Sequence, residues 1–431
     1  LVSPVIHPAT LQQALLKGLN AWVATSGQLV FPCQPEQLQA DLKQINTVFT
    51  ALGKPFSPTE LVQLCELLDL RLKQGARSPQ SVRLVVKYAS AGSVQRGIKC
   101  DVLLVKASQM PQTKGALSLP CAPMLANYYL QQIVRLLTAL GQPLSEREQQ
   151  HFLKGLTQEL VKGISASPYS RLIVRYQPAK PPQKGLMCHL SLAVNTLEQH
   201  CQNLVTTHQE PLFGPYADAK VMAIAALNDP AQSPILDIGA GTGRNTLPLA
   251  RLGYAVDAIE LAPAFVEEVK AAAQRENLSV QVMQGNILDD RITLAPDRYR
   301  LAILSAVLPH FISVQQLRSL LEKLTAAMEP GGWVLFSLFL AVDGYEPDNL
   351  ALQLSHILDS FIFTRSQLAS ALLGLPLKFI SDESAIAYER AHLDAWPPTD
   401  WFERWASGHS LFPLQQGDPP IELRWVLCQK F

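Results

Sequence analysis

The stretch "ILDIGAGTGRNTLPLA", residues 235–250, joins a short apolar run to a glycine-rich turn. The apolar run carries one acid, Asp237, and opens into glycines at alternate positions, Gly239, Gly241 and Gly243. A segment with the spacing of a helix follows. Glycines let such a turn adopt left-handed backbone conformations and come close to a ligand. The stretch therefore predicts a strand, a ligand-binding turn and a helix.

The sequence around this turn alternates between strand and helix patterns. Strands are predicted at 234–238, 255–259, 280–284, 300–305 and 333–339, with helices between them. This alternation is typical of a doubly wound, mostly parallel α/β sheet. Ligands of such sheets bind at the carboxyl ends of the strands, beside the connection that follows the first strand. The glycine turn lies at that place.

The spacing of the glycines distinguishes between two kinds of ligand. Dinucleotide sites use G-x-G-x-x-G, and the position of the third glycine is occupied here by Arg244. The carboxylate of Asp237, just before the glycines, suits an ammonium group better than a pyrophosphate. The next predicted strand ends in Glu260, which can accept hydrogen bonds from both ribose hydroxyls. A ribose with a cationic amino-acid tail describes S-adenosylmethionine.

D-x-G-x-G-x-G followed by an acid at the end of the second strand resembles the class I S-adenosylmethionine-dependent methyltransferases. Later stretches resemble further parts of this family in the same order: "MQGNILD" (283–289), "LAILSAVLPHF" (301–311), "AAMEPGGWVLFS" (326–337) and "FTRSQLASALLGLPLKFI" (363–380). The resemblance is close over residues 212–340 and loose over 341–431. It implies S-adenosylmethionine as the cofactor and an enzyme that transfers a methyl group from its sulfonium to a nucleophile.

The resemblance also implies which residues contact the cofactor. They lie in the glycine turn, at the ends of the next three strands and in the segment before the first strand: Asp237, Gly239, Ala240, Gly241, Gly243, Glu260, Leu261, Asn286, Ile287, Ser305 and Tyr216. Asn286 stands where the family commonly has an Asp. Its amide could meet the adenine amino group or simply cap the turn.

His310, just beyond the fourth predicted strand, occupies a place that often faces the methyl acceptor in this family. Positioning and desolvation do most of the catalytic work, because the leaving group is already activated. A base is needed only where the nucleophile loses a proton during attack. His310 is the predicted catalytic residue, and a purely structural histidine is the alternative. No metal site is expected.

The acceptor is predicted to be a small molecule. The loop after the fourth strand lacks the Asn/Asp-Pro-Pro-Tyr of enzymes that methylate nucleobase or glutamine nitrogens. Lys plus Arg equals Asp plus Glu, 36 each, which disfavours nucleic acid and membrane partners. A protein side chain is the alternative acceptor, and a cofactor-binding scaffold without turnover is a further hypothesis. The tryptophans of residues 395–412 could roof an acceptor pocket, form an interface or pack in the core.

The first half of the chain contains an internal repeat. Residues 32–105 align without a gap with residues 120–193 at an offset of 88, and "RLVVKY" (83–88) pairs with "RLIVRY" (171–176). One register held over this length indicates a duplication. The repeats are placed at about 30–105 and 118–194.

Each copy has the pattern of two helices followed by two strands. In the first copy, Ser57-Pro58-Thr59-Glu60 provides an N-cap and a capping-box glutamate for the second helix. The first half is therefore predicted to be an α+β domain of two α-α-β-β repeats with a four-stranded sheet. The repeated cysteines are predicted to fill the core, because structural zinc sites need closely paired ligands.

A chain of 431 residues favours two domains. We place the duplicated module at residues 1–205 and the methyltransferase-like domain at 206–431. The seven cysteines are widely spaced without a C-x-x-C pair, and the first residues lack the pattern of a signal peptide. A cytoplasmic location is therefore expected. The sequence leaves the oligomeric state open.

Overall fold

The computed structural model describes residues 8–19, 23–90, 98–183, 185–207 and 212–431. The chain divides into two compact units. One spans Leu19–Asn195, and the other joins Thr196–Phe431 to residues up to Gly18, within the first helix, α1 (Pro8–Leu19). Among the described residues, no helix is long and apolar enough to cross a bilayer.

The first unit is an antiparallel sheet with helices inserted between its strands. Its elements follow in the order β1 (Ala24–Pro32), α2 (Leu38–Ala51), α3 (Pro58–Gly75), β2 (Val82–Ser90), β3 (Ile98–Lys106), β4 (Lys114–Pro120), α4 (Ala126–Ala139), α5 (Glu146–Ala166), β5 (Arg171–Pro178) and β6 (Leu186–Ala193). The strand order is β3-β2-β1-β4-β5-β6, so the two halves of the unit meet where β1 pairs with β4.

The structure corrects the predicted repeat in one respect. Each copy begins with a strand, so its pattern is β-α-α-β-β and the sheet has six strands instead of four. The sequence match misses β1 and β4 because it starts at Pro32 and Pro120, the last residues of these strands. Glycine and serine also interrupt the alternation expected of a strand. The helices agree with the prediction. The second helix of each copy begins with a capping box, at Ser57 before α3 and at Ser145 before α5.

The centre of this sheet is arranged around two equivalent tyrosines. The hydroxyls of Tyr88 and Tyr176, which occupy equivalent positions in the two copies, hydrogen-bond to each other in the buried interior. Gly27 and Gly115 pair across β1 and β4. A Cβ on Gly27 would lie 2.6 Å from the Tyr88 hydroxyl, and a Cβ on Gly115 would clash with Tyr176 in the same way. The tyrosine rings therefore require glycine at both positions.

The second unit is an α/β sheet whose order is β13-β14-β11-β10-β7-β8-β9, with β12 beside β11. Its strands are β7 (Ile235–Ile238), β8 (Val256–Glu260), β9 (Val280–Gln284), β10 (Tyr299–Leu304), β11 (Met328–Ala341), β12 (Ile362–Phe363), β13 (Leu377–Ser384) and β14 (Ile421–Lys430). Strands β7 to β12 pair with one another in parallel, and β14 runs antiparallel between β11 and β13. This is the doubly wound, mostly parallel sheet that the sequence predicts.

Helices connect these strands. They are α6 (Leu197–Thr207), α7 (Ala219–Ala225), α8 (Thr246–Arg251), α9 (Pro263–Glu276), α10 (Val314–Ala327), α11 (Asn349–Ile357), α12 (Arg365–Leu372), α13 (Ala385–His392) and α14 (Phe402–Ala406). The division predicted at residue 205 falls inside α6, whereas the compact unit ends at Asn195. Thr196 and Gln199 exchange backbone and side-chain hydrogen bonds, a capping box that starts α6 directly after Asn195.

One buried acid distinguishes the two copies in the first unit. Asp41 on α2 is 5% exposed, and its Oδ2 has no hydrogen-bond partner among the described residues. Burial raises the pKa of Asp41 to about 6. The equivalent residue of the second copy is Tyr129, whose hydroxyl donates to the Pro120 carbonyl at 3.0 Å. The first copy thus holds a carboxyl where the second holds a satisfied phenol.

We predict that Asp41→Asn stabilises the first unit at pH 7.5 by about 1–3 kcal/mol. Because the folded-state pKa is raised, the neutral carboxyl carries no penalty below about pH 4, and the penalty grows as pH rises through 6. Urea unfolding at pH 4 and pH 7.5 measures the difference. Asp69→Asn, at an exposed i,i+4 ion pair on α3, is the control. An equal gain at both pH values would contradict the prediction.

Candidate cofactor and acceptor site

The carboxyl ends of the parallel strands bring the predicted site residues to one edge of the sheet. Asp237 lies in β7, Glu260 ends β8, Asn286 follows β9 and Ser305 follows β10. These strands are neighbours in the order β10-β7-β8-β9 and run in the same direction. Side chains distant in sequence therefore meet where ligands of such sheets bind.

The glycine turn after β7 has a backbone that other residues adopt only with strain. The φ angles of Gly239, Gly241 and Gly243 are +72°, +55° and +83°. A Cβ on Gly241 would lie 3.0 Å from the ring of Phe213. The turn thus forms a narrow backbone cradle that side chains would fill.

Asp237 lies at the base of this cradle and is 2% exposed. Its Oδ2 accepts a hydrogen bond from the Thr246 hydroxyl at 2.6 Å. Burial raises the pKa of Asp237 to about 7, although the Thr246 bond and the charge of Arg244 oppose this. A cationic group brought to this carboxylate would favour its ionised form.

Glu260 ties the glycine turn to the next helix. It is 6% exposed, and its two oxygens accept the backbone N–H groups of Gly241 at 2.8 Å and Ala262 at 2.7 Å. A carboxylate oxygen has a second lone pair, so each oxygen can accept one more hydrogen bond. Two adjacent hydroxyls of a ribose match this capacity.

The remaining predicted residues differ in what they offer. Ala240 is buried and Leu261 is half-buried beside Glu260. Ile287 packs its side chain into the core, which leaves its backbone for a ligand. Asn286 caps its own turn, since its Oδ1 accepts the Leu288 N–H at 3.0 Å. Tyr216 is exposed.

The residues predicted from the sequence do not include a buried ion pair beside the cradle, between Arg244 and Asp218. Arg244 donates to both carboxylate oxygens of Asp218, at 2.5 and 2.9 Å, and Asn245 and Ser305 donate to the same carboxylate. Arg244 also donates to the Tyr216 carbonyl at 3.3 Å. Burial opposes the charge of Arg244, but Asp218 outweighs it and raises the pKa of the guanidinium. The pair links the segment before β7 to the turn that leads into α8.

His310 does not stand alone. Its Nδ1 lies 3.1 Å from Asp359 Oδ1, and His200 Nε2 lies 2.9 Å from Asp359 Oδ2. Burial on its own would raise the pKa of Asp359, but the two histidines hold it well below its ordinary value. Burial also lowers the pKa of His310, and Asp359 and Glu260 together outweigh burial and raise it. Glu260, the predicted ribose contact, is thus one of the charges that favour the protonated form of His310.

These three side chains are the one group among the described residues whose ligand atoms lie close enough for a metal, within 4.8 Å of one another. Their arrangement is that of a hydrogen-bonded cluster. Each imidazole approaches a different oxygen of one carboxylate, and the ring centroids are 6.3 Å apart.

The tryptophans of residues 395–412 support this cluster. Trp405 donates its indole N–H to the Asp359 carbonyl at 3.0 Å and packs edge-on against Phe339, at 5.1 Å between ring centroids. Trp401 donates to the Leu212 carbonyl at 3.2 Å. Trp405 therefore fixes the loop that carries Asp359. Trp401 fixes Leu212, the residue before Phe213, whose ring lies against the glycine turn.

Comparison with known proteins identifies the same region. A family model described as a methyltransferase domain matches residues 235–332. The ubiquinone biosynthesis O-methyltransferase of Methylobacterium sp. (strain 4-46) is 32% identical over 98 residues, which is 23% of this chain and 37% of that protein. The uncharacterized methyltransferase YodH of Bacillus subtilis (strain 168) is 26% identical over 122 residues, 28% of this chain and 49% of that protein.

The chain therefore spans about half or less of the length of these two curated relatives. Among solved structures, the geranyl diphosphate C-methyltransferase of Streptomyces coelicolor A3(2) overlaps 50% of this chain and 85% of that chain, with 13% identity and a TM-score of 0.37. A likeness at that level does not bear on function. The family match includes the glycine turn and the ends of β8, β9 and β10, and it confirms the predicted methyltransferase domain of the second half.

We predict that Asp218→Ala destabilises the second unit by about 3 kcal/mol or more, because it leaves Arg244 as an unpaired buried charge. Thermal and urea unfolding measure the loss. Glu276→Gln, which removes the exposed partner of Arg251, is the matched control and should cost far less. Equal losses in the two variants would show that the Asp218–Arg244 pair does not stabilise the cradle.

Proposed function

We propose that this chain, whose second half contains a class I S-adenosylmethionine-dependent methyltransferase domain, transfers the methyl group of S-adenosylmethionine to a small-molecule acceptor. The observation that carries the proposal is the convergence of Asp237 and Glu260 on one glycine cradle, with His310 in the turn after β10, the strand beside β7. When bound, the cofactor supplies an electrophilic methyl group on a sulfonium. The residues of this chain bind it, orient it and manage the proton of the acceptor.

The cradle fits such a cofactor. Glu260 has one lone pair left on each oxygen for the two ribose hydroxyls, and Asp237 offers a carboxylate for the amino group. The three glycines leave room for the amino-acid tail of the cofactor to lie against the backbone of the turn. We assign the backbone of Ala240, Leu261 and Ile287 and the side chains of Asn286, Ser305 and Tyr216 to the rim of the same site.

His310 is the base in this proposal. A hydrogen bond donated by Nδ1 to Asp359 fixes the neutral tautomer that carries its lone pair on Nε2. That nitrogen can accept the proton of an acceptor hydroxyl or similar group as the methyl group arrives. The imidazolium that results is stabilised by Asp359 and returns its proton to solvent after the transfer.

A labelling experiment tests the acceptor class. Full-length protein is incubated with methyl-labelled S-adenosylmethionine and a cell extract that has been separated into small-molecule and protein fractions. Label transferred into the small-molecule fraction by the wild type, and lost in Glu260→Ala, is expected. Label that enters only the protein fraction would favour a protein side chain as the acceptor. Cofactor binding without label in either fraction would favour a non-catalytic scaffold.

We predict that Glu260→Gln weakens the binding of S-adenosylmethionine by about ten- to a hundredfold, which corresponds to roughly 1.5–3 kcal/mol for a charge-assisted partner. Calorimetry on the folded variant measures the affinity. Glu267→Gln, an exposed acid on α9, is the control. NAD should not bind detectably to the wild type. Tight NAD binding, or an unchanged affinity in Glu260→Gln, would overturn the assignment of the cradle.

We predict that kcat/KM for the acceptor rises with pH through the pKa of His310, which lies above its ordinary value of 6.5. The sign follows from the role, because only the unprotonated imidazole can accept a proton. A pH–rate profile measures the rise, and His310→Gln should lower the rate and remove the rise. A profile that falls over the same range would exclude His310 as the base.

A further inference from the structure

His200 is a half-buried histidine for which the proposed mechanism has no task. It lies on α6, whereas His310 lies in the turn after β10 and Asp359 in the turn after α11. Three elements far apart in sequence thus bring two imidazoles to one carboxylate. Most of each side chain is withdrawn from solvent, with 20% of His200 and 16% of Asp359 exposed.

We propose that His200 is a positioning residue for His310: it hydrogen-bonds the Asp359 carboxylate that His310 also uses, and so restrains Asp359 and weakens the hold of His310 on a proton. This inference rests on the proposed role of His310 as a base. In this role His200 contacts neither the cofactor nor the acceptor.

The two histidines share the negative charge of one carboxylate, that of Asp359. A carboxylate that accepts a hydrogen bond on one oxygen has less electron density available on the other, and it supports a neighbouring imidazolium less strongly. His200 takes Oδ2 at 2.9 Å and His310 takes Oδ1 at 3.1 Å, so the two compete for the same charge. Trp405 holds the Asp359 backbone, which prevents the carboxylate from moving away from either ring.

The other ionisable groups around His310 act in known directions. Glu260 at the end of β8 raises the pKa of His310, after the larger effects of burial and Asp359. Cys201, next to His200 on α6, lies near Glu260 and Asp359, and burial raises the pKa of its thiol to about 12, so it stays neutral. Burial lowers the pKa of His356 on α11, which also stays neutral at physiological pH. Within the described part of the chain, Asp359 and Glu260 are the acids that raise the pKa of His310, and His200 is the group that competes for Asp359.

The competition explains why a base can work beside two acids. Asp359 bonded to a single imidazole would support the protonated form of His310 more strongly. With its second oxygen occupied by His200, the carboxylate still orients His310 through Nδ1 but supports its protonated form less. Asp359 thus orients the base, and His200 moderates it.

Histidine NMR titrations on the full-length protein test this directly. In His200→Leu, which cannot donate a hydrogen bond, the pKa of His310 should rise by about 0.5–1. In His200→Gln, whose amide can still donate to Asp359, it should stay near the wild-type value. Asp359→Asn should lower it. The control is His151→Leu, at an exposed histidine of α5, which should change nothing.

A second readout separates this inference from the proposed function. If His310 is the base, the pH–rate profile of His200→Leu moves to higher pH in step with the NMR pKa. If methylation does not depend on His310, the NMR shifts persist while the profile stays in place, so the proposed function fails and the inference about His200 survives. Equal His310 titrations in folded wild type and His200→Leu would overturn the inference. Stoichiometric binding of Zn²⁺ or Mn²⁺ that broadens both histidine signals and is lost in His200→Leu would overturn it as well.

Discussion

The hydrogen bonds from two backbone N–H groups to the Glu260 carboxylate are the interaction on which the candidate site depends. One comes from Gly241 in the turn after β7, and the other comes from Ala262 at the start of α9. A single buried side chain therefore holds together the ends of two neighbouring strands and the glycine cradle between them. Because each oxygen keeps a lone pair, the group that organises the cradle is also equipped to bind in it.

The Asp218 carboxylate and its hydrogen-bond donors also support the cradle. Asp218 accepts hydrogen bonds from Arg244 and Asn245, which lie between the glycine turn and α8, and from Ser305 at the end of β10. The buried Asp218 carboxylate has enough hydrogen-bond donors to offset its loss of hydration. Asp218 or Arg244 without the other would be a buried unpaired charge and would destabilise the fold. The glycine turn needs such support, because its backbone conformation has little stability of its own. The cradle is thus fixed by Glu260 on one side and by Asp218 on the other.

The first unit illustrates how a duplicated sequence becomes one sheet. Its copies are joined through β1 and β4, and Tyr88 and Tyr176 meet at the centre because both strands carry glycine there. The copies are not equivalent in every respect. Asp41 occupies the position equivalent to Tyr129, and one of its carboxylate oxygens has no hydrogen-bond partner among the described residues, so the cores of the two copies have diverged.

The sequence by itself determined the alternation of strands and helices, the glycine turn, Asp237 and Glu260, because each depends on a local pattern or on its distance from the preceding strand. It also determined the helices of the duplicated half, whose caps are local. Only the tertiary structure decided which residues surround these groups. No local pattern marks Asp218, His200 or Asp359, since each acquires its role by meeting a partner from another part of the chain. The central strands β1 and β4 likewise have weak patterns of their own and gain stability by pairing with each other, which a linear reading cannot show.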